Sequence, residues 1–276
     1  MEILKVIILG AIQGLTEFLP VSSSGHLVIF KHIFGVRTPG ASFEVAVHLG
    51  TLLPVLIVFR REIGAILADI PRGVGTMLSR RSLTQSFSAH PSFKLAWLIV
   101  VATVPAGLAG VLLEETFERM FNSILAVGFA LEATAVIIAA SGFLRFRGFE
   151  GGGISFPSAL CIGVAQALAI TPGISRSGAT ISLAVMLGIA PVEAARFSFL
   201  IAIPAILGAG LIQAAKLDPG AMPLEHIFAA VTASAVVGYV ALKLLLRTIR
   251  TGNFNKFAVY CAAVGVFAIC WGLLVG

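Results

Sequence analysis

The chain has 276 residues, of which 58% are hydrophobic and only 12% are charged, and its mean hydropathy is +1.02. Because about a quarter of the residues in a soluble domain are charged, this composition excludes an ordinary soluble protein and indicates a single integral membrane domain over 1–276. The net charge of +6 arises in loops between apolar segments, so it predicts membrane orientation and not nucleic-acid binding.

Two segments, about 3–32 and 155–188, are apolar but carry polar residues at their centres. Each half is too short to cross a bilayer comfortably. An irregular backbone is tolerated at membrane depth only where it is buried in protein or lines a cavity. Each segment is therefore predicted to form a re-entrant helical hairpin with a polar tip.

Six further segments are apolar and close to the length of a membrane span, although the first is short. They cover residues 45–59, 95–113, 123–144, 193–215, 226–246 and 257–275. The predicted fold is an all-α polytopic membrane protein with six transmembrane helices and two re-entrant helical hairpins.

The charges of the loops predict the orientation in the membrane. Loops 60–94, 145–150 and 243–256 are rich in Lys and Arg, whereas loops 114–119 and 216–225 are poorer in them. By the positive-inside rule the first group is cytoplasmic and the second is external. The first hairpin then enters from outside and the second from the cytoplasm.

The two hairpins also match each other in sequence. Residues of the first align with those of the second at a constant offset, so that Ser22 aligns with Ser175 and Gly25 with Gly178. Each hairpin is followed by three spans, and an odd number of crossings inverts the second copy. The sequence therefore predicts two inverted repeats, 1–150 and 151–276.

Opposed hairpins of this kind would bring two polar tips together near the middle of the bilayer. An arginine at that depth costs roughly 2.5–3.5 kcal/mol, so Arg176 indicates an anionic ligand. Its planar fork of donors suits phosphate, and the N-termini of the two returning helices add positive ends. The tips contain Gln13, Glu17, Ser22, Ser23, Ser24 and His26, and Gly173, Ser175, Arg176, Ser177, Gly178 and Thr180.

A carboxylate beside a phosphate usually holds a divalent cation between them. Gln13 lies one helical turn before Glu17 and on the same face. Two oxygen ligands at that spacing suit Mg²⁺ or Ca²⁺, so Glu17 and Gln13 are the predicted metal ligands.

Both tips resemble a known family. The stretch from Gln13 to His26 is similar to the (E/Q)xxxE motif and the Ser-Gly-His stretch of the undecaprenyl-pyrophosphate phosphatases of the bacitracin-resistance type. The stretch from Pro172 to Thr180 matches the PGxSRSxxT motif of that family in full. The resemblance covers nearly the whole chain, with Gln at position 13 where some members have Glu.

The resemblance implies hydrolysis of undecaprenyl pyrophosphate to undecaprenyl phosphate and phosphate, which recycles the lipid carrier for peptidoglycan synthesis. It also implies a divalent cation, a multi-pass location in the bacterial inner membrane, and an active site that faces the periplasm or exterior. The substrate is then a polyprenyl pyrophosphate lipid, and the chain contacts membrane lipid. Whether it forms a homodimer is left open.

Candidate roles can be assigned to the residues of the two motifs. Ser23 is the candidate nucleophile and His26 its base or the acid for the leaving group, although attack by His26 or by water is equally compatible with the spacing. Glu44 and Ser22 are candidates for lining the site. Phosphate would be bound by Arg176 with Ser175, Ser177, Thr180, Gly173 and Gly178.

Two alternatives are left open. A polyprenyl-phosphate flippase or an anion transporter would use the same inverted-repeat scaffold, because broken helices that meet at the midplane are typical of alternating access. The second alternative concerns the role of Arg176. It would form only a structural ion pair with Glu17, which holds the two hairpins together.

Overall fold

The computed structural model describes residues 3–35, 42–144, 153–214 and 223–275, and these parts of the chain are helical apart from short turns. The predicted cytoplasmic loop 145–150 and most of the predicted external loop 216–225 lie outside them. The helices are α1 (Ile3–Phe18), α2 (Ser23–Phe34), α3 (Ser42–Val58), α4 (Arg60–Arg80), α5 (Leu83–Ala89), α6 (Pro91–Leu112), α7 (Glu114–Phe121), α8 (Ile124–Ser141), α9 (Phe156–Leu168), α10 (Arg176–Met186), α11 (Pro191–Ala214), α12 (Leu224–Arg250) and α13 (Lys256–Val275).

Five of these helices are long and apolar enough to span a membrane: α6, α8, α11, α12 and α13. A sixth span is obtained if α3 is combined with α4, which is bent by 80° from it. The five helices correspond to five of the six predicted spans, and α3 alone corresponds to the short predicted span 45–59. Together they confirm an all-α polytopic membrane protein. The long basic segment after α3 is itself the helix α4, which carries its charges on one side of an amphipathic surface.

Each of the two broken segments forms a pair of short helices, as the sequence predicts. The returning helices α2 and α10 have 12 and 11 residues. At about 1.5 Å per residue neither reaches across a hydrocarbon core about 30 Å thick. Helix α1 ends two residues before Pro20, and α9 ends four residues before Pro172, so the backbone is irregular where proline and glycine predict it.

The first helix of each hairpin packs on a helix from the other half of the chain. Helix α1 lies on α12 and helix α9 on α6, while α8 and α13 pack on each other. A Cβ atom on Gly10 would lie 2.6 Å from the carbonyl oxygen of Ala230, and one on Gly163 would lie 2.5 Å from that of Ala102. Two inverted repeats would produce reciprocal packing of this kind, and the division into repeats stays a prediction.

The core of the bundle adjoins the two tips. Phe18 follows Glu17 directly, is almost fully buried, and meets the ring of Phe199 edge to face with centroids 5.8 Å apart. Phe59, at the bend between α3 and α4, packs on the same Phe199 ring. The end of α1 is thus anchored by apolar packing immediately beside its carboxylate.

Substitution of Gly163 by alanine is expected to lower the free energy of unfolding by about 1–3 kcal/mol, because the new methyl group meets the backbone of α6. Thermal unfolding in detergent measures the change. Gly107→Ala in α6 is the matched control, since a Cβ atom there has nothing within 4 Å. Equal melting temperatures for the two variants would contradict the close approach of α9 to α6.

Candidate active site

The tips of the two hairpins contact each other, as predicted. The backbone N–H of Gly173 donates to the hydroxyl of Ser24 at 3.4 Å, and the hydroxyl of Ser177 donates to the carbonyl of Leu19 at 3.2 Å. A Cβ atom on Gly25 would lie 3.2 Å from the Cα atom of Gly173. Glycine at this crossing therefore allows the two backbones to approach closely.

The returning helices of both hairpins begin in the same way. Ser22 caps α2 by accepting from the N–H of Gly25 at 3.2 Å, and Ser175 caps α10 by accepting from that of Gly178 at 3.1 Å. In each tip a second serine hydroxyl lies close to the capping one, at 3.2 Å in the first tip and 3.3 Å in the second. Both helices thus present capped, positive N-termini to the same region.

Glu17 is the centre of the contacts between the tips. Its Oε1 accepts from Nη2 of Arg176, and its Oε2 accepts from the hydroxyl of Ser23 at 2.5 Å and from Nε2 of Gln13 at 2.8 Å. The carboxylate side chain is 5% exposed and that of Arg176 is 19% exposed. The guanidinium of Arg176 and the two hydrogen-bond donors offset the cost of burying this carboxylate.

His48 also reaches this carboxylate, and the sequence did not single it out as a site residue. Its Nε2 lies 3.7 Å from Oε2 of Glu17, and its side chain is 33% exposed. The residue predicted from the sequence is Glu44, which lies one helical turn before His48 in α3 and pairs with Lys31 of α2. The reach of a side chain to a neighbouring helix depends on packing that spacing within one helix does not give.

His26 is held away from Ser23. Its Nδ1 lies 2.8 Å from the carbonyl oxygen of Ser22, and its Nε2 lies 2.8 Å from the hydroxyl oxygen of Tyr260. The hydroxyl of Ser23 is instead turned towards α1. Among the described residues the hydroxyl of Ser23 therefore bonds to Glu17 and not to His26.

The other predicted phosphate-binding side chains of the second tip are buried and bonded to the protein. Ser175 and Ser177 are buried, and their hydroxyls are engaged in the cap and with the first tip. Thr180 is fully buried, and its hydroxyl donates to the carbonyl of Arg176 at 2.7 Å. The hydroxyl of Ser198 lies 2.6 Å from that of Thr180. The hydrogen bonds of these side chains stabilise the backbone around Arg176.

The metal ligands predicted from the sequence are adjacent. Oε1 of Gln13 is buried and has no hydrogen-bond partner among the described residues, so this oxygen is available for a ligand. Those residues contain no group of three or more His, Cys, Asp or Glu side chains suited to a metal ion. One carboxylate and one amide oxygen fit Mg²⁺ or Ca²⁺ when phosphate oxygens and water complete the coordination.

Comparison with known proteins agrees with the resemblance of the two motifs. The family described as "Bacitracin resistance protein BacA" matches residues 6–267. The chain is 43% identical over 275 residues to the undecaprenyl-diphosphatase of Desulfosudis oleivorans, which covers 99% of this chain and 100% of that protein. It is 40% identical over 277 residues to the undecaprenyl-diphosphatase of Methanosphaera stadtmanae, with 98% of each covered. Since these matches extend over almost the entire length, the chain belongs to the bacitracin resistance protein BacA family.

Proposed function

We propose that this protein is an integral membrane phosphatase that hydrolyses undecaprenyl pyrophosphate to undecaprenyl phosphate and inorganic phosphate. Membership of the family and the names of the two relatives support this activity. The observation that carries the proposal is Ser23, a partly exposed residue whose hydroxyl lies 2.5 Å from a carboxylate oxygen of Glu17. An accessible hydroxyl beside a base is the arrangement of an activated nucleophile.

In the proposed reaction the hydroxyl oxygen of Ser23 attacks the terminal phosphorus and passes its proton to Glu17. The new O–P bond replaces the bond to undecaprenyl phosphate, which leaves. Water then hydrolyses the phosphoserine, releases phosphate and restores the hydroxyl. Direct attack by water on the phosphorus is the alternative route, and it needs no serine.

Arg176 would bind the phosphate oxygens in this reaction. Its contacts with the described residues use one terminal nitrogen, so the remaining donors of the guanidinium are available to a ligand. Catalysis of phosphoryl transfer consists mainly of positioning and charge stabilisation. The capped N-terminus of α10, which begins at Arg176 itself, would add backbone N–H groups to the same anion.

We also propose that Glu17 and Gln13 hold a divalent cation together with the substrate. A bound Mg²⁺ or Ca²⁺ would neutralise charge on the phosphate oxygens. The unpaired buried Oε1 of Gln13 supports this role. Because Glu17 supplies the only carboxylate among the groups described at the tips, the cation would bind firmly only when the pyrophosphate adds its oxygens.

Removal of divalent cations is expected to lower phosphate release by at least about tenfold, because the phosphate oxygens then lose the divalent charge that the cation supplies. The assay compares purified protein with EDTA and after re-addition of excess Mg²⁺ or Ca²⁺, which should restore the rate. The melting temperature in EDTA controls for unfolding. Full activity in EDTA would contradict the metal proposal and leave the phosphatase proposal standing.

The resemblance to the family supports a location in the bacterial inner membrane. A site open to the periplasm or exterior of a bacterial inner membrane would recycle the carrier lipid for peptidoglycan synthesis, and the family name links this activity to bacitracin resistance. The basic helix α4 and the basic end of α12 would then lie on the cytoplasmic side. The prenyl tail would lie along apolar helix surfaces while its pyrophosphate enters between the tips.

Transport of a polyprenyl phosphate or another anion is the second candidate function. Two broken helix pairs with reciprocal packing favour it, because such pairs are common in alternating-access transporters. A transporter needs groups that bind the anion but no nucleophile. The hydroxyl of Ser23 against Glu17 is what favours hydrolysis over transport.

The test of the proposed function is phosphate release from undecaprenyl pyrophosphate by the purified, folded protein with Mg²⁺ or Ca²⁺. Release at a rate proportional to protein concentration is expected. Vesicles that carry the protein and a labelled polyprenyl phosphate measure transport in parallel. Movement of the lipid phosphate without any phosphate release would overturn the phosphatase proposal and establish the transporter.

A further inference from the structure

The hydrogen bonds of His26 fix which of its nitrogens carries the proton. The carbonyl oxygen of Ser22 can only accept, so Nδ1, at 2.8 Å, must be the protonated nitrogen. In a neutral imidazole Nε2 is then the acceptor, and the hydroxyl of Tyr260, also at 2.8 Å, must donate to it. The two rings are nearly parallel, with an interplanar angle of 6° and centroids 5.7 Å apart. Both ring nitrogens are thus committed to groups of the protein.

The carbonyl that His26 binds belongs to a residue in an uncommon conformation. Ser22 has a φ angle of 67°, in the left-handed region that residues other than glycine rarely adopt. Such a conformation persists only where the surrounding structure holds it. Because Ser22 directly precedes Ser23, the position of this carbonyl sets the position of the proposed nucleophile.

Helix α13, which carries Tyr260, contacts the tip of the first hairpin at a second point. Cys261, which follows Tyr260 in α13, is fully buried and its thiol donates to the carbonyl oxygen of Pro20 at 3.3 Å. Cys261 therefore holds the backbone at Pro20, while Tyr260 holds His26, which binds the carbonyl of Ser22. These contacts connect the last helix of the chain to the first hairpin.

The second tip has an equivalent support from the other half of the chain. Thr134 of α8 is buried, and its hydroxyl accepts from the N–H of Ser175 at 3.0 Å and lies 2.9 Å from the carbonyl oxygen of Gly173. Helices α8 and α13 pack on each other, so each carries the polar group that fixes one tip. A support that recurs at both tips is a feature of the site and not an accident of one contact.

We propose that Tyr260 is a positioning residue for the active site. By donating to Nε2 it holds His26 in the Nδ1–H tautomer, and His26 in turn holds the carbonyl of Ser22 and the backbone that presents Ser23 to Glu17. Tyr260 contacts His26 and not the reacting hydroxyl, so it acts through the histidine. The kinetic part of this inference depends on the proposed phosphatase function, whereas the tautomer does not.

Tyr260→Phe tests the inference, because it keeps the ring and removes only the hydroxyl. We expect kcat for phosphate release to fall by about 10- to 100-fold, as for a displaced catalytic group, while KM changes by less than about twofold. Tyr239→Phe is the matched control. Tyr239 lies in α12 under the ammonium group of Lys243, makes no described hydrogen bond through its hydroxyl, and should give wild-type kinetics when substituted.

The ¹⁵N resonances of the His26 ring give a readout that a loss of packing would not reproduce. In the wild type we expect the pattern of a neutral Nδ1–H imidazole with a hydrogen-bonded Nε2, assigned by comparison with His26→Asn. In Tyr260→Phe the Nε2 resonance should move towards that of an unbonded acceptor, with the melting temperature within about 2 °C of the wild type, since the lost bond is single and partly exposed.

Each outcome of these two measurements decides the inference. A kcat within twofold of the wild type would overturn it, and so would a reduced kcat with an unchanged ¹⁵N pattern, because the hydroxyl would then not act through His26. Failure of the proposed phosphatase function is recognised separately, since the wild type would then release no phosphate. In that case the ¹⁵N measurement alone still tests whether Tyr260 fixes the tautomer.

Discussion

Substitution of Ser23 by alanine is expected to reduce phosphate release by about 10³-fold or more, because it removes the proposed nucleophile. The carboxylate of Glu17 keeps Arg176 and Gln13 as partners in this variant, so the protein should fold normally. A burst of phosphoserine formation in the wild type, trapped by rapid quenching, should be absent from Ser23→Ala. Single-turnover kinetics and the melting temperature are the measurements.

Ser88→Ala is the control for this substitution. Ser88 lies exposed in α5, and within the described part of the chain its hydroxyl bonds only to the carbonyl of Thr84, so its loss should leave the rate unchanged. A loss of less than about tenfold in Ser23→Ala would indicate direct attack by water, with Ser23 serving only to orient Glu17. That result would reject the covalent route and retain the phosphatase.

The position of the site follows from the sequence, because a polar residue is expensive inside lipid. Glu17 and Arg176 interrupt apolar runs that are otherwise fit to cross a membrane, and proline and glycine near them end the helices. The repetition of Ser-x-Ser-Gly at Ser22 and Ser175 predicted that the two breaks have the same construction. These properties are local, so one sequence contains them.

The partners within the site could not be predicted in the same way. His48 reaches Glu17 from α3, and Tyr260 reaches His26 from α13, over more than 200 positions of sequence in the second case. Such contacts depend on how helices from the two halves pack and on which rotamers that packing leaves. Spacing within α2 suggested that Ser23 and His26 act together. Ser23 is the first residue of α2, and its hydroxyl bonds to Glu17 of α1.

Substitution of Arg176 by lysine is expected to lower kcat/KM by about 10²- to 10⁴-fold with little loss of stability. Lysine keeps the positive charge opposite Glu17, but it lacks the planar fork that binds phosphate oxygens through several donors. Removal of the charge in Arg176→Ala would in contrast leave a buried carboxylate unpaired, which costs about 3–5 kcal/mol. The lysine variant therefore separates phosphate binding from support of the hairpins.

The two roles of Arg176 lead to different results. If it were only a structural partner of Glu17, Arg176→Lys would retain both its melting temperature and an activity within about tenfold, since one ammonium group can form the same ion pair. If it binds phosphate, activity falls while the melting temperature is kept, and inorganic phosphate inhibits the variant less strongly than the wild type. Arg72→Lys is the control, because Arg72 is exposed on α4 and its one ion pair with a described residue is with Asp69 at 3.6 Å. Among the described residues the guanidinium bonds only to Glu17, which leaves most of its donors for a ligand, so we expect the second result.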